Sequence, residues 1–249
     1  TVEGRVAHSL HAYFLRRGDV TSPIVYEVDR SRDGGSFSNR RVVAIQHGRP
    51  ILNLAASFQN PEDGVEHEAE MPDVRGPEGL TDLIAAARDN LDSIPTKMRR
   101  YLQERPFEFR HVEPITFERG ETRPPVKHVW IRAVDELPDD PVLHQNMLTY
   151  VSDHELVGTA SNPHGQAFLD RSVIMASLDH ALWFHRAVRV DDWLLYAMDS
   201  PNASGARGFA RGQFFTRDGK LVASTAQEGL MRVVDRQERR ARSDPKLQK

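Results

Sequence analysis

The sequence predicts an α+β protein with two similar units, each an antiparallel sheet that wraps a central helix, the first unit being incomplete at its N-terminal end. Three observations support this prediction. A strand-rich stretch near the start of the chain recurs in the second half, each copy contains a tight hairpin, and one strongly signalled helix precedes the second copy. Together they are typical of a duplicated unit rather than of two unrelated domains.

The repeat is visible when the segment from His11, HAYFLRRGDVTSPIVYEV, is set beside the segment from His180, HALWFHRAVRVDDWLLYAM. Both have the rhythm of strand, polar loop and strand, and both continue into two further strands. Those last strands flank a tight turn, His47-Gly48 in the first copy and Asp218-Gly219 in the second, where glycine supplies the positive φ of a short hairpin. Each copy is therefore predicted to be an antiparallel meander.

A proline- and charge-rich span separates the two copies and sets the predicted domain boundaries. These are 1–62 for the first unit, 63–125 for a linker, 126–236 for the second unit and 237–249 for a polar, disordered tail. The linker is expected to pack on the surface and to contain helical pieces near Leu80–Arg88 and Pro95–Glu104.

The second unit opens with the strand His128–Val134 and a helix with clear end signals. Asp139 or Asp140 is the predicted N-cap, Pro141 occupies the first helical position, and Gly158 is the predicted stop. The face expected to pack on the sheet spans about 100° of the helical wheel. Its members are Leu143, Met147, Tyr150, Val151 and His154.

Strand, long helix and antiparallel meander, in that order, define a hot-dog fold, and the duplicated meander predicts a double hot-dog. The first unit starts directly at its meander, so its first strand and central helix are expected to be missing from this chain. Within the second unit, Asp153 and Asn146 lie together at one border of the apolar helix face. An aspartate in that position requires an explanation, because a helix packed on a sheet does not need one there.

Two more polar side chains fall on strand faces that the pattern predicts to be buried. Ser177, in VIMASLDHALWF, alternates with Met175, Asp179 and Trp183 and so shares their face. Gln227, in LVASTAQEGLMRVV, alternates with small and apolar residues in the same way. A buried glutamine needs a hydrogen-bond partner. Asp153, Ser177 and Gln227 could therefore converge on one site, or each could be satisfied separately by backbone groups or water.

Other kinds of site have weak support. No G-x-S-x-G, P-loop, G-x-G-x-x-G or H-E-x-x-H motif occurs. His8 and His11 fall on opposite faces of a strand, so a structural role is favoured over metal binding, and we expect neither a metal nor a cofactor. Arg207 and Arg211 share a strand face that could bind an anion, although a solvated face is the favoured interpretation.

Composition excludes several classes of protein. The 249 residues contain no cysteine, which removes disulfide frameworks and cysteine nucleophiles and fits a cytoplasmic, reducing compartment. The net charge of −3 does not favour nucleic acid as a partner. No apolar run approaches the roughly 20 residues of a membrane helix, so membrane insertion and a signal peptide are not expected.

The chain resembles the acyl-CoA thioesterase II family along nearly its whole length. The resemblance is carried by ordered blocks that include HSLHAYFLRRGD, RDGGSFSNRRVVAIQHGRPI, PDDPVLHQNMLTYVSD, ASLDHALWFHR and LVASTAQEGLMR. It implies a double hot-dog hydrolase whose catalytic residues are an aspartate on the second helix, a hydroxyl residue before DH and a glutamine before EG. These positions are Asp153, Ser177 and Gln227 here, and the family often has threonine where this chain has Ser177.

The resemblance also implies a reaction: hydrolysis of acyl-CoA to free fatty acid and CoA in lipid metabolism, by a water that Asp153 activates. Medium- to long-chain acyl-CoA is the implied substrate, and a homo-oligomer is expected because exposed strand edges favour association. Two alternatives stay open, an enoyl-CoA hydratase and a non-catalytic acyl-CoA-binding protein. The hydratase alternative is weakened because HELVGTA follows Asp153 instead of an asparagine-proline step leading to a histidine.

Overall fold

The computed structural model describes residue 2, residues 4–82, residue 85, and residues 105–114, 121–165 and 173–234. The strands of this part are β1 (Val6–Phe14), β2 (Val25–Asp33), β3 (Phe37–Gln46), β4 (Arg49–Gln59), β5 (Phe107–His111), β6 (Val126–Ala133), β7 (Val173–Ser177), β8 (Asp179–Phe184), β9 (Leu194–Ser204), β10 (Arg207–Thr216) and β11 (Leu221–Val233). The helices that we label are α1 (Pro141–Ser152) and α2 (Leu156–Ser161), the latter followed by a 3₁₀ turn at Asn162–His164.

The described strands form one 11-stranded antiparallel sheet in the order β2-β3-β4-β1-β8-β11-β10-β9-β6-β5, with β7 paired to β11. The two predicted meanders are therefore present, β1 to β4 in the first half and β8 to β11 in the second. Their inner edges are joined through β1 and β8, so the two expected sheets are continuous with each other. The sequence pattern does not reveal this joining, because strand periodicity reports faces and not edges.

The junction between the halves has the symmetry of the repeat. His11 lies opposite Ala181, and Ala12 lies opposite His180. Because His11 and His180 are equivalent in the repeat, Ala12 and Ala181 are equivalent too, and the pairing is the same when it is read from either strand. A local two-fold axis therefore relates the two meanders where they meet.

The prediction of a linker over residues 63–125 is wrong in part, because residues 107–111 form strand β5. Phe107 and Phe109 are 1% and 2% exposed and alternate with charged residues, which is the ordinary pattern of a half-buried strand. β5 pairs with β6, so the second unit begins before residue 126. Most of the predicted helical piece near Leu80–Arg88, all of the piece near Pro95–Glu104 and the whole tail at 237–249 lie outside the described residues.

Helix α1 begins as predicted and ends earlier than predicted. Asp140 is the N-cap, and its side-chain Oδ1 accepts a hydrogen bond of 2.9 Å from the backbone N–H of Val142. The helix ends at Ser152, and Gly158 lies within α2 instead of stopping α1. The chain turns at Glu155, whose φ of 73° is left-handed, so the break uses a residue that the stop rules do not anticipate.

The most buried face of α1 is displaced by one residue from the predicted one. Its members are His144, Leu148, Val151 and Ser152, each at most 2% exposed. Tyr150, predicted to be covered, is 45% exposed. The predicted face did not include His144 or Ser152, but both are buried here because each has a buried hydrogen-bond partner.

The main core lies in the second half, between the two helices and the sheet. Leu148, Val151 and Leu156 are fully buried there, in one cluster with Leu182 and Phe214. In the first half, residues 4–82 contain no helix, and the apolar side chains of β2 are about as exposed as its polar ones, with Val25 60% exposed. No helix in the described residues is long and apolar enough to cross a membrane.

Candidate active site

Three polar side chains meet at one carboxylate oxygen beneath the end of α1. Asp153 is the C-cap of α1, Ser177 is the last residue of β7, and Gln227 lies in the middle of β11. Ser177 Oγ donates a hydrogen bond of 3.3 Å to Asp153 Oδ1, and Gln227 Nε2 donates to the same oxygen. The structure thus brings together the three residues that the sequence selected.

A β-bulge at Leu178 directs Ser177 towards the helix. Gly229 pairs with Ser177 whereas Ala226 pairs with Ala181, so one extra residue is accommodated between β7 and β8. The Asp179 carboxylate accepts a hydrogen bond of 2.6 Å from the backbone N–H of Glu228 and closes the bulge.

The predicted common face of Ser177, Asp179 and Trp183 is therefore wrong. The bulge reverses the alternation, and Ser177 shares the helix-facing side with His180, since both reach residues at the end of α1. Strict two-residue alternation cannot reveal such a reversal. The other helix-border residue, Asn146, is exposed and lies outside this cluster.

Gln227 is held in one orientation and keeps one atom unpaired. Its side chain is 1% exposed, as predicted from the pattern of β11. Since its Nε2 donates to Asp153, the amide cannot flip without losing that bond. Within the described part of the chain, Gln227 Oε1 is buried and has no hydrogen-bond partner, and Asp153 Oδ2 also has none. One buried acceptor on a side chain that contacts the Asp153 carboxylate therefore lacks a donor.

A second set of contacts, which sequence reasoning missed, surrounds Ser152. The Tyr196 hydroxyl donates to the Ser152 carbonyl at 2.7 Å, and His180 Nε2 lies 2.8 Å from Ser152 Oγ. Burial lowers the pKa of His180, although the charges of Asp153 and Asp179 oppose this. Burial likewise raises the pKa of Tyr196 well above its usual value. Both groups are therefore neutral near pH 7, and the only signal in the sequence was their presence in otherwise apolar strands.

An ion pair fixes the turn that follows Asp153. Glu155 Oε2 lies 2.8 Å from Lys127 Nζ and 3.6 Å from His111 Nε2. Burial alone would raise the pKa of Glu155, but the Lys127 ammonium and the hydrogen bond with His111 hold it well below its usual range. The carboxylate of Glu155 is therefore ionised, and the pair ties the helix break to β5 and β6.

Helix α2 lies directly on the sheet because two strand positions carry glycine. A Cβ atom at Gly229 would lie 2.6 Å from Val157 Cγ2, and one at Gly208 would lie 2.6 Å from Ala160 Cβ. Any larger residue would push α2 away from β10 and β11. With the ion pair of Glu155, this packing leaves the segment that carries Asp153 little freedom.

The other sequence candidates have structural roles. Arg207 forms an ion pair of 2.8 Å with Glu228, and Arg211 forms one of 2.5 Å with Asp199, both near the surface. Both arginine side chains are about half exposed and each pairs with a carboxylate, which agrees with a solvated face. His8 packs edge-on against Phe37 and His11 packs edge-on against Trp183.

Family comparisons cover most of the chain. The family described as "Acyl-CoA thioesterase" matches residues 98–230, and the family described as "Acyl-CoA thioesterase N-terminal domain" matches residues 1–59. The first match spans more than half of the chain, and it includes all three residues that meet at Asp153. Its start before β5 agrees with an earlier beginning of the second unit.

Individual relatives are similar over nearly the same range. The protein called acyl-CoA thioesterase 2 in Haemophilus influenzae is 41% identical over 234 residues, which are 94% of this chain and 82% of that protein. The human protein called acyl-coenzyme A thioesterase 8 is 39% identical over 236 residues, which are 91% of this chain and 73% of that protein.

Solved structures give the same result. The crystal structure of acyl-CoA thioesterase II TesB2 from Mycobacterium marinum superimposes with a TM-score of 0.76 and 40% identity, covering 94% of this chain and 83% of that one. A protein described as having a hot dog fold, from Alicyclobacillus acidocaldarius, has a TM-score of 0.71 at 19% identity, with 92% and 80% of the two chains covered. This second likeness concerns the fold, and it confirms the predicted fold class.

Proposed function

Because this chain belongs to the acyl-CoA thioesterase II family and hydrolyses acyl-CoA thioesters to free acid and CoA, we propose that Asp153, Ser177 and Gln227 catalyse the reaction. Asp153 acts as the general base, and Ser177 and Gln227 position the attacking water. The two relatives named above are called thioesterases, which favours hydrolysis over the hydratase and the non-catalytic binding protein that the sequence alone left open.

The observation that carries this proposal is the sharing of Asp153 Oδ1 by Ser177 and Gln227. Two donors on one oxygen fix the carboxylate plane and leave the lone pairs of Oδ2 available. The buried Gln227 Oε1, which lacks a partner in the described structure, supplies a second acceptor. A water molecule has two protons to donate, so it matches a carboxylate oxygen and an amide oxygen placed together.

The chemistry then needs one base and no covalent intermediate. The water oxygen attacks the thioester carbonyl carbon while Asp153 takes one of its protons. The tetrahedral intermediate collapses, the carbon–sulfur bond breaks, and the CoA thiolate leaves and recovers the proton from Asp153. A thioester carbonyl is already electrophilic and a thiolate is a good leaving group, so positioning supplies much of the rate.

The finer properties of the enzyme follow as parts of the same proposal. We expect medium- to long-chain acyl-CoA substrates, as the resemblance to the family implies. A homo-oligomer is expected because β2 is a long, exposed edge strand of the described sheet. A cytoplasmic location agrees with the absence of cysteine from the sequence.

A single-turnover reaction in H₂¹⁸O tests the mechanism. With enzyme in excess over a long-chain acyl-CoA, direct attack by water places one ¹⁸O atom in every molecule of acid formed. Mass spectrometry of acid-quenched enzyme should show no acylated protein. Unlabelled acid in the first turnover, or an acyl group on Asp153, would show that the carboxylate is a nucleophile instead of a base. Thiol release measured over a series of acyl-CoAs then determines the preferred chain length.

A further inference from the structure

We propose that Tyr196 and His180 are positioning residues for the hydrolysis, and that they act through Ser152, the residue directly before Asp153. Tyr196 holds the backbone carbonyl of Ser152 and His180 holds its side chain. The inference rests on the proposed role of Asp153 as the base. Neither Tyr196 nor His180 is assigned a contact with substrate.

Tyr196 is a rigid support for the end of α1. Its side chain is 1% exposed, and its ring stacks on Phe214 at 3.8 Å between centroids and 12° between planes. Its hydroxyl donates to Ser152 O at 2.7 Å, and Thr225 Oγ1 lies 2.9 Å from the same hydroxyl. Since the phenol proton is used on Ser152, the Thr225 hydroxyl donates to Tyr196. The hydroxyl is therefore held in place by its ring, its donor and its acceptor.

His180 holds the side chain of the same residue, and the bonding determines its tautomer. Ser152 Oγ donates its single proton to Thr149 O at 2.9 Å. The oxygen must therefore accept from His180 Nε2, 2.8 Å away, so Nε2 carries the proton and Nδ1 does not. His180 is 4% exposed, and burial keeps it neutral. Ser152 is thus held by β8 through its hydroxyl and by β9 through its carbonyl.

This anchoring compensates for a weak point of the active site. Asp153 lies at a helix C-terminus, where the last carbonyls have no helical partners and the final turn tends to fray. Its φ of −76° is ordinary, so no left-handed glycine cap closes the helix at this residue. Tyr196 and the Ser152 hydroxyl instead occupy two of the free carbonyls. A shift of about 1 Å in a catalytic group can cost about 100-fold in rate, so loss of this anchoring should reduce turnover.

The central test is Tyr196→Phe, which removes only the hydroxyl. We expect kcat to fall about 10- to 100-fold with KM changed less than about twofold, because the carboxylate is displaced while the acyl-CoA surface is intact. Ser200→Ala is the matched control. Ser200 is on the same strand, is buried, and donates to a backbone carbonyl, that of Phe209, at 2.6 Å, but it contacts neither Ser152 nor Asp153. It should lose comparable thermal stability and keep the parental kcat.

A double substitution separates positioning from general damage. In an Asp153→Asn background, Tyr196→Phe should cause no further fall in kcat, because Tyr196 acts only through the carboxylate. If Tyr196→Phe does not fold, Ser152→Ala decides, since alanine is the best helix former and the substitution removes only the hydroxyl, with its bonds to His180 Nε2 and Thr149 O. A parental kcat in the folded Tyr196→Phe or Ser152→Ala protein would overturn the inference, as would equal losses for Tyr196→Phe and Ser200→Ala. A parental rate for Asp153→Asn itself would instead refute the proposed base.

Discussion

Replacing Asp153 with asparagine tests the general base most directly. The asparagine side-chain oxygen can still accept from Ser177 Oγ and from Gln227 Nε2, as Asp153 Oδ1 does now. The local hydrogen bonds are therefore retained, while the atom that takes the proton becomes an amide nitrogen without basicity. Turnover should fall by about 10²- to 10⁴-fold, the range for loss of a positioned acid–base group. The added barrier is about 3 to 5.5 kcal/mol.

Asp153→Asn should leave folding intact, whereas Asp153→Ala should not. No cation pairs with Asp153 in the described residues, so asparagine removes an uncompensated charge at no cost in contacts, and its melting temperature should equal or exceed that of the parent. Alanine instead deprives the buried Gln227 amide of its acceptor. Leaving such a group unpaired costs about 1–3 kcal/mol, so Asp153→Ala should be inactive and also less stable.

The assay is steady-state thiol release with a long-chain acyl-CoA, together with a melting curve for each protein. The expected result is a large loss of kcat for both variants, a KM close to the parental value for Asp153→Asn, and a lower melting temperature for Asp153→Ala alone. If Asp153→Asn turned over at nearly the parental rate, the base would lie elsewhere. If the carboxylate had only a structural role, Asp153→Asn would lower the melting temperature and leave kcat close to the parental value.

Two further predictions concern the neighbours of this residue. Ser177→Thr should keep most of the activity and Ser177→Ala should lose about 2 kcal/mol of transition-state stabilisation, measured as kcat/KM; equal values for alanine and parent would make the hydroxyl structural. Because the pKa of Glu155 is depressed in the folded state, its ionisation stabilises the fold fully above the ordinary value of 4.5, and this contribution is lost as the pH falls below it. Glu155→Gln should thus lower stability by about 3 kcal/mol at pH 7, the lower end of the range for breaking a buried ion pair, and its difference from the parent should shrink on acidification from pH 5 to 3. Glu66→Gln, which alters a carboxylate 78% exposed and 3.5 Å from Arg186, should change little, and a gap that stayed constant with pH would contradict the Glu155 assignment.

The features predicted well were those determined by local chemistry. The N-cap at Asp140 and the proline after it depend on a few adjacent atoms. The hairpins at Gly48 and Gly219, with φ of 70° and 88°, depend on the one residue type that adopts such values freely. The burial of Gln227 followed from strand alternation alone, because β11 is regular at this position.

The features that were missed depend on partners distant in the chain. The early end of α1 depends on Tyr196, 44 residues away from Ser152, and on a left-handed Glu155 held by Lys127. The bulge before His180 depends on Asp179 reaching the backbone of β11. No pattern within α1 or β8 encodes these bonds, so the candidate site residues could be selected from the sequence while the geometry that brings them together could not.

The symmetric junction of β1 and β8 has a further consequence, for the way the two halves depend on each other. In two separate chains such a pairing would form only above a certain protein concentration, whereas here the intervening polypeptide makes it intramolecular and independent of dilution. The registers also show how far the copies have diverged. Ala12 and Ala181 are equivalent in the repeat, and they lie opposite Leu54 and Ala226, so Leu54 corresponds to Ala226. The next residue of each strand is Ala55 in the first half, opposite His11, and Gln227 in the second. Ala55 therefore occupies the position that corresponds to Gln227. Two halves fused in one chain can therefore differ: the second half has the glutamine, whereas the first half has alanine there and retains the strand that pairs with the second half. A dimer of identical chains would instead carry every residue twice.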